Sequence, residues 1–87
     1  MFEWDDNKAA PNLAKHRVSF ERVREFEWGT AKFVNDGRED YGEVRINAIG
    51  FIGVRLHAVT YTPRGETYRI ISLRKANKRE QQAYSQA

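Results

Sequence analysis

Apolar and polar residues follow two different rhythms along these 87 residues. Phe2-Glu3-Trp4 alternates, with both aromatics on one face, and reads as a short strand. Asp5 or Asp6 then offers a carboxylate to the bare first-turn amides of a helix reaching about His16, with Ala9, Leu13 and His16 at helical spacing. Pro11 fits a helix interior only at a cost, so a start nearer Ala9 or Ala10 competes with the longer reading. Ser19 restarts the pattern as a second cap. Val18 before it and Val23 after it suit a hydrophobic staple, and Phe20, Val23 and Phe26 trace a helical stripe that Gly29 ends. Trp28 is placed to seal that end against the core.

From Val44 onward the period becomes two. A first strand runs from Val44 to Ile52, Gly53 turns the chain, and Val54 to Thr62 forms a second. Pro63-Arg64-Gly65-Glu66 reads as a tight turn, because Pro fixes φ and Gly tolerates φ above zero, and Thr67 to Leu73 as a third strand. Such short connections demand antiparallel neighbours. A terminal helix follows, from Lys75 or Asn77 to Tyr84. The expected fold is α+β: N-terminal helices, an antiparallel three- to four-stranded sheet and a C-terminal helix, in one domain over residues 1–87.

Charge divides the chain. Up to Glu43 there are seven Lys or Arg against ten Asp or Glu, while from Val44 there are eight against two, so the formal +3 conceals a basic C-terminal half. That half suits a polyanion such as RNA, and the acidic half suits a protein partner. Cysteine is absent, which removes disulfides and thiolate metal sites and fits a reducing, cytoplasmic setting. The N-terminal residues show no basic head followed by an apolar run, and no stretch nears the ~20 apolar residues of a membrane span. Neither a secretory signal nor a membrane partner is expected.

Strand alternation divides the candidate chemistry between two faces. Arg69, Ile71 and Leu73 share one, and Ile70, Ser72 and Arg74 the other. Arginine forks match phosphate oxygens and aromatic rings stack on unpaired bases, so an open sheet face carrying both is a shallow RNA site; the competing reading is a solvated face under long side chains. His16 and His57 are distant in sequence and no HExxH or glycine-rich phosphate loop occurs, so no metal or cofactor is expected. His57 reads as a half-buried or surface histidine. Asn12 and His16 share a helix face at i,i+4, where a structural hydrogen bond can form.

The blocks Phe2-Glu3-Trp4-Asp5, Lys8-Ala9, Asn12, Lys15-His16 and Val18-Ser19-Phe20 recur in order with Arg45, Ala48-Ile49-Gly50, Tyr61-Thr62, Arg64-Gly65 and the run Arg69–Glu80. Together, over Phe2 to Tyr84, they make the chain resemble the BrnT toxin family (the DUF497 proteins). Two departures stand out. Arg17 follows the Lys-His pair where the family often has Gly, so a left-handed helix exit must be made by a non-glycine residue or avoided. The family's Asp-Pro after the second helix is replaced by the Trp28-Gly29 region.

The resemblance implies a RelE-like fold and a metal-independent endoribonuclease that arrests translation. It also implies a cognate ribbon-helix-helix antitoxin (BrnA-like), with promoter DNA bound only through the antitoxin complex. On that reading Arg64, Arg74 and Arg79 neutralise phosphate charge, and Glu80 or His16 handles a proton. Arg45, Arg55, Arg69, Lys75 and Lys78 hold RNA, and Tyr84 stacks on a base or packs in the core. The competing function is a noncatalytic adaptor that binds nucleic acid or antitoxin.

Overall fold

The structure, a computed structural model, describes residues 1–35 and 42–86. Its elements are β1 (Phe2–Trp4), α1 (Asp6–His16), 3₁₀ turns at Phe20–Glu25 and Trp28–Thr30, β2 (Lys32–Asn35), β3 (Ile46–Ile52), β4 (Arg55–Arg64), β5 (Thr67–Lys75) and α2 (Lys78–Gln86). The strands form one sheet in the order β1-β5-β4-β3-β2. Among the described residues no helix is long and apolar enough to cross a membrane.

The sheet corrects the antiparallel expectation. β2, β3, β4 and β5 are antiparallel neighbours, but β1 joins β5 in parallel, with Phe2 opposite Tyr68 and Trp4 opposite Ile70. Short turns fix the hairpins; β1 is separated from β5 by most of the chain, so no turn constrains its direction. The two hairpin loops each begin on a glycine, Gly53 at φ 61° and Gly65 at φ 60°, the first central position that a type II′ turn reserves for glycine. Pro63 and Arg64 belong to β4, not to a turn. Proline is tolerated there because β3 begins opposite Tyr61, leaving β4 a neighbour on one side only.

α1 begins at Asp6 under the Asp5 cap, whose carboxylate accepts the Asn7 N–H at 2.9 Å. Pro11 sits inside it, at an exposed position where water can satisfy the Asn7 carbonyl left without its donor. Arg17 makes the left-handed exit at φ 63°, donating its N–H to the Leu13 carbonyl. The second expected helix is a 3₁₀ helix capped by Ser19. Phe20, Val23 and Phe26 are spaced by three, and residues three apart stand directly above one another when a turn holds three residues, where an α-helix would offset them. Phe20 and Val23 are buried in it, and Phe26 continues as an isolated bridge to Ile52. The Phe26 ring lies on Gly50, where a Cβ would stand 2.7 Å from its tip.

A bulge decides which side chains reach which face. Thr60 pairs with Ser72 but Tyr61 with Ile70, so Ile71 is skipped. Alternation therefore shifts by one residue. Ile70 and Leu73 both enter the core with Val18, Phe20, Val23, Phe26, Ala48, Ile52, Val59 and Tyr61, and each such large apolar side chain contributes ~1.5–3 kcal/mol by leaving water. Arg69, Ser72 and Arg74 share the opposite, open face, against the simple alternation that had separated Arg69 from Arg74. Trp28 seals one margin of the core, within 4.7–5.7 Å of the Phe26, Tyr68, Tyr61 and Phe2 rings.

Candidate active site

Register places two rows of side chains across the open face: Asn47, Thr60 and Ser72 in one, Ile49, Ala58 and Arg74 in the next. The Thr60 hydroxyl donates to the Asn47 side-chain oxygen Oδ1 at 2.7 Å, which ties these two members of the first row together. α2 crosses this face because Asn77 and Glu80 form a reciprocal cap at its start. The Glu80 N–H donates to the Asn77 side chain at 2.8 Å, and the Asn77 N–H to the Glu80 carboxylate at 2.9 Å.

That cap aims Glu80 at Arg74. Nη1 and Nη2 of Arg74 donate to the two carboxylate oxygens at 2.7 and 2.8 Å, a fork-to-fork pair with a fixed plane. The Glu80 hydrogen bonds raise the Arg74 pKa further, against partial burial. The Arg74 hydrogen bonds, aided by the Asn77 N–H, hold the Glu80 carboxyl below its ordinary 4.5 although burial opposes them. Glu80 is therefore an ionised acceptor, suited to orienting Arg74 and poorly suited to passing a proton near neutrality.

α1 reaches the same place along the outer edge of β5, beyond the end of β1. The Asn12 side chain takes the place of a strand there. Its amide donates to the Leu73 carbonyl at 2.8 Å and to the Val18 carbonyl at 3.1 Å, and its oxygen accepts the Leu73 N–H at 3.3 Å. The expected Asn12–His16 contact is replaced by this backbone clamp. Burying Asn12 turns Leu13 outward, so Leu13 is 48% exposed instead of lining the core. One turn on from Asn12, His16 lies half-buried over an open depression of about 370 Å³ with Lys15, Lys8 and Arg45. Partial burial, then Lys15 and Arg74, push its imidazole below the usual 6.5, so it is a neutral base at neutral pH.

The other expected residues separate. Arg64 lies at the far end of β4, paired with Glu43 at 3.3 Å and Glu3 at 3.9 Å, and Arg69 pairs with Glu3 at 2.7 Å. They share the open face with Arg74 but do not converge on it. Arg55 donates to the Ala76 carbonyl at 3.0 Å and fastens the β5–α2 link. Lys75, Lys78 and Arg79 are exposed around the start of α2. Tyr84 packs: its hydroxyl donates to the Thr30 carbonyl at 3.0 Å and its ring meets Phe51 edge-on at 5.6 Å. His57 is not at a surface. It is 2% exposed, and burial lowers its pKa. Among the described residues no three His, Asp or Glu side chains gather as metal ligands.

Lys15 and the Asn47–Thr60–Ser72 row were not read from the sequence as site residues, although Lys15 had a signal in its place beside His16. Asn12 was read as a structural hydrogen-bonding residue from its spacing to His16, which does not disclose a partner 61 residues away.

Comparison with curated proteins found no match to this chain. Comparison with family profiles found one, described as the ribonuclease toxin BrnT of type II toxin–antitoxin systems, over residues 4–80. The matched span runs from the end of β1 through Glu80, and so takes in α1, the sheet and the Arg74–Glu80 pair. By that match, this chain belongs to the BrnT family of ribonuclease toxins.

Proposed function

We propose that the chain cleaves RNA within the strand on its open sheet face, with the reacting phosphate between Arg74 and His16. The observation that carries the reading is the forked Arg74–Glu80 pair beside a neutral histidine. A guanidinium held in plane meets the equatorial oxygens of a phosphate as their charge grows, without first having to be ordered. His16 accepts the proton of the ribose 2′-hydroxyl. The 2′-oxygen attacks phosphorus in line, the P–O5′ bond breaks, and the departing 5′-oxygen takes a proton from water on the open side. The products are a 2′,3′-cyclic phosphate and a 5′-hydroxyl.

Lys15, Lys8 and Arg45 line the approach on the α1 side, with Arg79 on the α2 side, and draw the backbone of a single strand along the face. Glu80 positions Arg74. Arg64 and Arg69 lie outside this cluster and are assigned outer RNA contacts at most. Cleaving messages arrests translation, and a ribbon-helix-helix antitoxin neutralises the chain; promoter DNA is contacted only through that complex.

The test is purified chain with naked RNA and with ribosome-bound message, both in EDTA. Cleavage leaving 2′,3′-cyclic ends, and lost with His16→Gln, supports this reading. Binding of RNA with neither substrate cut makes the chain a nucleic-acid adaptor instead.

A further inference from the structure

The edge opposite α1 carries a second surface. β2 is the outermost strand and, among the described residues, pairs only with β3, so one side of its backbone offers hydrogen-bonding groups to an incoming strand. Soluble proteins usually guard such an edge with charge or brevity; here two consecutive apolar residues occupy it, Phe33 at 49% and Val34 at 61% exposure. They point to opposite faces. Phe33 stacks on Trp28 at 6.3 Å, while Val34 faces a groove of about 820 Å³ between β2 and α2, lined also by Ile49, Ala83 and Tyr84. The rim is basic: Lys32, its ammonium 5.7 Å from the centre of the Tyr84 ring, and the exposed Arg79.

We infer that this edge and groove form the docking site for the antitoxin, which adds an extended segment beside β2 with apolar side chains on both faces and acidic residues towards Lys32 and Arg79. The inference rests on the reading of this chain as a toxin neutralised by a partner protein. Three features select the occupant. The edge of β2 that no described strand pairs asks for a strand, the paired exposure of Phe33 and Val34 asks for apolar residues at successive positions, and the basic rim asks for acid between them. RNA satisfies only the last. Arg79 and Glu80 form one wall of the groove, and Glu80 also grips Arg74, so a seated segment stands over the α2 side of the proposed cleavage site. Docking and inhibition are thereby one event.

The experiment uses the full chain and, as probe, its purified cognate antitoxin. Two variants are compared: Val34→Glu with Ala83→Glu, both at exposed positions, and Val54→Glu, the same change at a 99% exposed valine in the β3–β4 turn. The groove variant should bind antitoxin at least about thirtyfold more weakly, as loss of an interface centre does, while Val54→Glu changes binding less than about twofold. Its RNA cleavage, measured relative to its own rate without antitoxin, should no longer be suppressed by antitoxin concentrations that silence the parent. Hydrogen exchange on the unaltered chain gives an independent readout, with antitoxin protecting the amides of β2. Equal binding by the groove variant, or protection that spares β2 and falls elsewhere, overturns the docking site and leaves the toxin reading intact. An unaltered chain that the antitoxin neither binds nor inhibits overturns both. Protection of β2 by RNA but not by antitoxin makes the groove a substrate surface and also overturns the inference.

Discussion

β5 carries an arginine–carboxylate cluster near each of its ends, and the two are built differently. Near its C-terminal end, Arg74 meets both oxygens of Glu80 at 2.7 and 2.8 Å, and Glu80 is itself fixed by the Asn77 N–H. Towards the other end, Glu3 is divided between Arg69 and Arg64, and Arg64 is divided between Glu3 and Glu43. Side-chain exposure separates only Arg64 and Glu3, at 52% and 41%, since Arg69 and Glu43 at 28% and 26% are as covered as Arg74 and Glu80 at 35% and 23%. Exposed, shared pairs of the second kind are worth ~0–1 kcal/mol and leave long side chains free to move. The contrast teaches that a sheet arginine is held in one direction when its carboxylate is anchored to backbone; otherwise the carboxylate merely balances its charge.

Substitutions break or sharpen that contrast in graded steps. The largest effect should come from His16, the base proposed beside the anchored cluster. His16→Gln should lower cleavage about a hundredfold, within the usual range for a lost general base. Because His16 is active when neutral and its pKa is depressed, the parent rate should climb with pH and level off below 6.5, a limb that the variant loses. Arg74→Ala should keep the fold and lower cleavage at least about tenfold, or ~1.4 kcal/mol of transition-state stabilisation; single-turnover kinetics equal to the parent would remove Arg74 from the chemistry.

Glu80→Gln, which leaves Arg74 present but unanchored, should lower kcat about fivefold with KM nearly unchanged, because a disordered donor costs more in the transition state than in binding. Denaturant titrations across pH give its second readout. Glu80 titrates lower when folded, so its contribution to stability is present above about 4.5 and disappears as pH falls through the depressed folded value. The parent's advantage over Glu80→Gln should vanish in acid. Arg64→Ala should alter cleavage less than about twofold, since charges of its cluster are already balanced. Smallest of all is a backbone change at the residue after His16, read in stability and not in rate. Arg17→Gly should raise stability by ~0.5–1 kcal/mol in urea unfolding, because φ 63° is strained for arginine and free for glycine.

The sequence made some of this legible and concealed the rest for definable reasons. Arg74 and Glu80 could be marked where an apolar strand passes into a charged helix, and the two hairpins announced themselves through Gly53 and Gly65. The joint facing of Arg69 and Arg74 could not be read, because one skipped residue at Ile71 reverses the parity of everything beyond it. β2 was missed since Lys32-Phe33-Val34-Asn35 is too short for a period to show. The direction of β1 and the partner of Asn12 depend on segments more than sixty residues away, and local pattern carries no record of them.

That long-range closure has a consequence during synthesis. β1 is completed by β5, and the charge of Arg74 reaches His16 only once β5 has been made, with its Glu80 anchor following in α2. Contacts so far apart in sequence form late, because a long loop must close before they contribute anything. A nascent chain therefore carries its histidine and its basic residues through the exit tunnel as an unassembled set. A product that stops short of Glu80 lacks the anchor that aims its arginine.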